Sequence, residues 1–148
     1  MTQYEKDLLS KDLCARLPYG VKVHFSGWDS EYLQQKEMVD TLYSIDSDGY
    51  CNTYEYDSLL ELGNIKPYLF PISSMTDELW DKEFMGCGIT EFTRDSFKYG
   101  CETLEFNNSN PHLSSMIRFI NQLIKNHFDI YGLIPMGLAE DATGLNIY

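Results

Sequence analysis

Apolar positions at the start of the chain recur with a helical spacing. Tyr4, Leu8, Leu9, Leu13 and Leu17 fall mostly four residues apart. Thr2-Gln3-Tyr4-Glu5 has the form of a capping box, with Thr2 as N-cap and Glu5 three places on. The pattern predicts a helix from about Gln3 to Arg16, ended by Pro18 and Gly20. The period then drops to two. Val21, Val23 and Phe25 alternate with Lys22, His24 and Ser26, as in a half-buried strand with His24 on its polar side. Residues 27–30 read as a loop, and residues 31–40 have no decisive period. Residues 41–45 read as a strand, Asp48-Gly49 as a hairpin turn, and residues 50–56 as the return strand. Strict alternation puts Tyr50, Asn52, Tyr54 and Tyr56 on one face of that return strand, and Cys51, Thr53 and Glu55 on the other.

Pro67 and Pro71 stiffen the stretch from Lys66 to Ser73 and keep it extended. A second helix start follows. Thr76 suits an N-cap, Asp77 and Glu78 place negative charge in the first turn, and Met75 and Trp80 are spaced for a hydrophobic staple. Residues 89–106 suggest paired short strands. Asn110 and Pro111 then open a third helix, with a stripe of Leu113, Met116, Ile117, Ile120, Leu123 and Ile124. Residues 131–148 read as a mixed tail. Together these elements predict one α+β domain over residues 1–148. Its small bent antiparallel sheet, or SH3-like partial barrel, spans about 21–72. The amino-terminal helix and the two later helices, within about 76–128, pack with it.

Charge changes this picture more than composition does. The chain has 148 residues, 43% of them hydrophobic, enough for a packed core. Its net charge is −12, and residues 29–105 hold 17 acidic and 5 basic side chains, so the whole excess lies there. Such a field repels phosphate backbones and suits a basic protein partner. Direct nucleic-acid binding is therefore not expected. No amino-terminal signal pattern and no run near the ~20 apolar residues of a membrane span occur, so a cytoplasmic protein without membrane contact is expected. Cys14, Cys51, Cys87 and Cys101 are scattered without a C-x-x-C pair and read as reduced thiols, with a Cys87, Cys101 and histidine metal site as the minor alternative.

Candidate chemistry is sparse. Ser44, Asp46, Asp48, Tyr50, Asn52 and Glu55 map onto the ligand positions of a twelve-residue calcium loop, with Gly49 at its sharp turn. Ser44 stands where a carboxylate is expected, and the flanks favour strands over helices, so a plain hairpin is the stronger reading. No nucleophile elbow and no glycine-rich phosphate cradle are present, and no cofactor is expected. His127 and Asp129 could be a base and its orienter, but residues at a helix end more often cap and pack. Eleven tyrosines supply amphipathic contact area. The candidate partner-binding residues are Tyr43, Asp46, Asp48, Tyr50, Tyr54, Glu55, Tyr56 and Asp57.

Three blocks carry a resemblance: Lys11-Asp12-Leu13-Cys14-Ala15-Arg16-Leu17-Pro18-Tyr19-Gly20-Val21-Lys22, Lys66-Pro67-Tyr68-Leu69-Phe70-Pro71-Ile72-Ser73-Ser74-Met75-Thr76, and His127-Phe128-Asp129-Ile130-Tyr131-Gly132-Leu133-Ile134-Pro135-Met136-Gly137-Leu138-Ala139. They resemble a family of proteins without assigned activity, common in phages and mobile elements of gut bacteria. The family has arginine where Phe70 stands, and tryptophan within the turn occupied here by Ile120-Asn121-Gln122-Leu123. The resemblance implies work inside an infected bacterial cell and brings no catalytic residue. With the acidic middle and the tyrosines, the expectation is a non-enzymatic interaction protein that binds a host protein. Its sharper form is an inhibitor of a nucleic-acid-binding defence component. The alternatives are a protein that binds or sequesters a small ligand or nucleotide, and a small hydrolase.

Overall fold

The computed structural model describes residues 1–29, 34–56, 59–87 and 113–148. The chain divides into two compact units. One comprises Met1–Leu69 with Tyr131–Tyr148, and the other is Phe70–Ile130.

In the first unit, helix α1 runs over Gln3–Arg16. The Thr2 hydroxyl accepts from the Glu5 amide at 3.2 Å, and the Glu5 carboxylate accepts from the Thr2 amide at 2.6 Å, completing the capping box. The strands are β1 (Lys22–Asp29), β2 (Gln34–Ile45), β3 (Tyr50–Thr53), β4 (Leu60–Glu61), β5 (Ile65–Leu69) and β6 (Glu140–Asp141). They form an open sheet in the order β4-β3-β2-β1-β5-β6. All neighbours are antiparallel except β5 and β6, which run parallel, so the antiparallel sheet expected from the sequence gains one parallel edge strand. Val21, Val23, Phe25, Leu42, Cys51, Ile65 and Leu69 form one core cluster with Leu9 and Leu13 of α1. The helix therefore packs on one face of the sheet, as an α+β fold requires.

Several boundaries differ from the sequence reading, each for a physical reason. β1 continues to Asp29 and β2 begins at Gln34, with Gly27 opposite Lys36 and Asp29 opposite Gln34. Gln34, Gln35, Lys36 and Glu37 are all exposed, so this ribbon carries no alternation to read. A side chain at Gly27 would fit only if its neighbours moved. A Cβ there would lie 2.7 Å from Met38 Sδ and 3.1 Å from the Tyr56 ring. The tail also returns to the sheet. Leu133, Leu138 and Ala139 join the first core, and the Ala142 amide donates to the Leu69 carbonyl at 2.8 Å.

Between β1 and β5 the paired register ends at Val23 and Pro67. At the next position a phenol bridges the two strands. The Tyr148 hydroxyl accepts from the Lys22 amide at 3.2 Å and donates to the Tyr68 carbonyl at 2.7 Å. Burial pushes the Tyr148 hydroxyl up to about 12, with the Lys22 amide and Arg16 acting in the opposite direction and Asp12 adding to the rise. Arg16 and Asp12 are themselves buried on α1, and their forked contacts are both 2.7 Å.

The second unit contains α2 (Asp77–Glu83) and α3 (Leu113–Lys125). Thr76 caps α2 by accepting from the Leu79 amide, and Met75 and Trp80 lie in one buried cluster with Phe84, Cys87, Phe119, Leu123 and Phe128. The buried stripe of α3 is rotated from the predicted one. Phe119 and Leu123 are buried, whereas Ile117 is 50% exposed and Ile120 is also exposed. Phe119 meets Trp80 and Phe84 edge-on at 5.9 and 5.5 Å between ring centres, and these aromatic contacts set the face. After α3 the Phe128 amide bonds the Leu123 carbonyl and the His127 amide bonds the Ile124 carbonyl, a Schellman ending with His127 at a φ of 58°. Asn110, Pro111 and the strands expected at 89–106 lie outside the described residues. No described helix is long and apolar enough to cross a membrane.

Candidate functional site

The β2–β3 hairpin closes through Asp46. Its Oδ1 accepts from the amides of Asp48 at 2.9 Å and Tyr50 at 2.8 Å, while its own amide donates to the Tyr50 carbonyl. Gly49 supplies the left-handed residue, with a φ of 84°. Asp46 is thus a turn residue. Across the hairpin, Asn52 Nδ2 donates to Ser44 Oγ at 3.0 Å. Asp48 remains exposed at the tip.

A buried carboxylate holds the far end of the same hairpin. Asp40 is only 6% exposed. Its Oδ1 accepts from the Thr41 amide at 2.6 Å, and its Oδ2 accepts from the amides of Glu55 at 2.7 Å and Tyr56 at 3.3 Å. The Tyr54 amide donates to the Thr41 carbonyl at 3.1 Å, and the Thr53 hydroxyl reaches the Tyr56 carbonyl at 3.5 Å. Burial alone would raise the Asp40 carboxyl. The Glu55 amide, the Thr53 hydroxyl and the amides of Thr41 and Tyr56 outweigh it and hold the carboxyl below the usual carboxylate range. The chain therefore turns a sharp, fixed corner after Thr53.

That corner sorts the tyrosines. Tyr56 turns inward, its ring 5.2 Å from the Phe25 ring, and does not share a face with Tyr50 and Tyr54. Tyr54 points out, 73% exposed, and meets Tyr43 at 5.3 Å between ring centres with a 47° tilt. Tyr43, 49% exposed, sits at an irregularity in the β2–β3 register, where Leu42 faces Thr53 and Ser44 faces Asn52 so that Tyr43 has no opposite residue. Such bulges re-aim a side chain. Tyr50 is exposed at the start of β3, and Glu55 is exposed beside Tyr54. Asp57 lies outside the described residues. Cys51 and Thr53 face the core instead of the tyrosines, and burial first, then Asp46 and Cys14, push the Cys51 thiol up to about 12. That thiol is unreactive at neutral pH.

Sequence reasoning missed Asp40, Val39, Leu59 and Glu61. Val39 and Leu59 are exposed apolar side chains, and Glu61 is exposed on β4. The overlooked signal is a run without bases: residues 37–65 contain seven acidic side chains and no lysine, arginine or histidine. Elsewhere on the sheet acids meet basic residues. His24 Nε2 lies 2.8 Å from Glu37 Oε2, and Lys66 Nζ lies 3.1 Å from Glu140 Oε1. Acidic side chains therefore outnumber bases along β2, β3 and β4, with Lys22 and His24 of β1 opposite Thr41 and Val39.

Ser44, Asp46, Asp48, Tyr50, Asn52 and Glu55 belong to this hairpin, where Asp46 Oδ1 and Ser44 Oγ already accept protein donors. Among the described residues no three His, Cys, Asp or Glu side chains are grouped so as to hold a metal ion. Cys87 is buried in the second core, while Cys101 and His112 lie outside the described residues. His127 and Asp129 are both buried beside the parallel bridge that joins Phe70 to Phe128. Comparison with family models, curated proteins and solved structures gives no match to this chain.

Proposed function

We propose that this chain is a non-enzymatic interaction protein that binds a basic protein through the exposed surface of β2, β3 and β4. The observation that carries this reading is the corner held by Asp40, which fixes an exposed aromatic pair beside exposed Glu55. An exposed tyrosine on a hydrogen-bonded frame loses little freedom on binding, so its contact area is available at low entropic cost. Exposed Asp48, Glu55 and Glu61 supply a field that steers a basic partner and weakens with salt. The resemblance of the three sequence blocks to a phage and mobile-element family supports a bacterial host protein as the partner class. A nucleic-acid-binding defence component, which itself presents a basic surface, is the sharper form.

The test is affinity purification from a bacterial host lysate with the wild type and with an Asp48→Lys/Glu55→Lys/Glu61→Lys variant. The wild type should retain a basic protein at 50 mM salt and release most of it at 500 mM, and the variant should retain little. Recovery of the same protein by both chains, or of none at low salt, contradicts the proposal.

A further inference from the structure

We infer that the exposed Tyr43–Tyr54 ring pair receives a guanidinium group, an arginine side chain carried on a basic segment of the partner. This rests on reading the surrounding surface as the binding face. The face of a tyrosine ring attracts a cation through its quadrupole, and two adjoining rings tilted at 47° present such faces side by side. Both rings keep large solvent-accessible areas, so an incoming side chain can reach them.

Three further observations narrow the occupant. The charge balance favours a cation, because the ring pair lies within a stretch, residues 37–65, that holds seven acids and no base, with exposed Glu55 next to Tyr54 and Lys22, opposite Thr41 on β1, as the neighbouring base. The backbone that carries the pair is also held in place. The Tyr54 amide is bonded to Thr41, the two following amides are bonded to Asp40, and Tyr43 is set outward by the register irregularity. Finally, a cation already rests over a tyrosine in this unit, where Lys11 Nζ lies 5.4 Å from the centre of the Tyr131 ring. Arginine fits better than lysine against an exposed ring pair. Its guanidinium is planar and weakly hydrated, so it can stack on a ring while its edge donates to a carboxylate.

Octa-arginine and octa-lysine peptides are the probes, titrated by calorimetry at 50 mM salt into the wild type, a Tyr43→Phe/Tyr54→Phe pair and a Tyr43→Leu/Tyr54→Leu pair. Thermal melting confirms that each variant is folded. The wild type should prefer octa-arginine by about two- to fivefold. The phenylalanine pair should keep that preference, because the ring faces remain. The leucine pair should lose most of that preference and keep only the part that guanidinium–carboxylate pairing supplies, because leucine offers no quadrupole. Equal binding of the two peptides by the wild type overturns the arginine receptor and leaves the acidic binding face standing. So does an arginine preference as large in the leucine pair as in the wild type. Binding of neither peptide by the wild type removes the binding face itself.

Discussion

Replacing Asp40 by asparagine tests the frame that presents the tyrosines. The carboxylate accepts from three backbone amides at 2.6, 2.7 and 3.3 Å while almost wholly buried. Asparagine keeps one oxygen and turns an NH2 group toward donors that need an acceptor. At least one charge-assisted hydrogen bond is lost and its buried amide donor is left unsatisfied, a single event worth about 2–4 kcal/mol because the lost partner is charged. The expected loss is about 2–4 kcal/mol at pH 7, measured by urea unfolding, with faster amide exchange at Glu55 and Tyr56 than in the wild type. The pH dependence has a definite sign. The Asp40 carboxyl is held below its ordinary value in the folded chain, so its contribution is complete above about pH 4 and is lost as pH falls through the folded value. The gap between wild type and Asp40→Asn should therefore narrow at acid pH. A gap under about 0.5 kcal/mol at pH 7, or unchanged exchange at both amides, refutes the argument.

Three other perturbations have definite signs. Arg16→Met should destabilise by about 3–5 kcal/mol by removing the cation forked onto buried Asp12, whereas Asp12→Leu/Arg16→Met should recover much of that loss in chemical denaturation. Tyr148→Phe removes both links of the phenol bridge and should cost about 1–3 kcal/mol. The folded phenol holds its proton more tightly than the unfolded one, so stability falls as pH rises from about 10 toward 12, and Tyr148→Phe should flatten that fall. His127→Gly should be more stable than His127→Ala by about 1 kcal/mol in thermal melts, since both lose the imidazole but only glycine accepts a φ of 58° freely.

Local signals were legible in the sequence where they act locally. The Thr2 and Glu5 capping box, the Asp48-Gly49 turn and the Thr76 cap all depend on residues within four positions of one another, and each stands where the pattern put it. What escaped depends on partners far along the chain. Residues 34–37 are polar on both faces, so their pairing with β1 leaves no periodic trace. The return of the tail to β5, and the rotation of α3 toward Trp80 and Phe84, are decided by packing between distant segments. At the candidate site, Tyr43, Tyr50 and Tyr54 are exposed as surface tyrosines. Tyr56 could not be assigned inward without Asp40, because a buried carboxylate sixteen residues away bends the strand before alternation can continue.

The most direct test of the account is a residue-resolved map of where a basic ligand binds. In a 15N amide-shift titration with octa-arginine at 50 mM salt, the largest changes should fall at Thr41, Tyr43, Tyr54 and Glu55 and should weaken together as salt is raised. The exposed acids of α2, Asp77, Glu78 and Asp81, provide the competing acidic surface. Shifts strongest on α2, or spread evenly over every acidic residue, would contradict the claim that the corner held by Asp40 is the binding site.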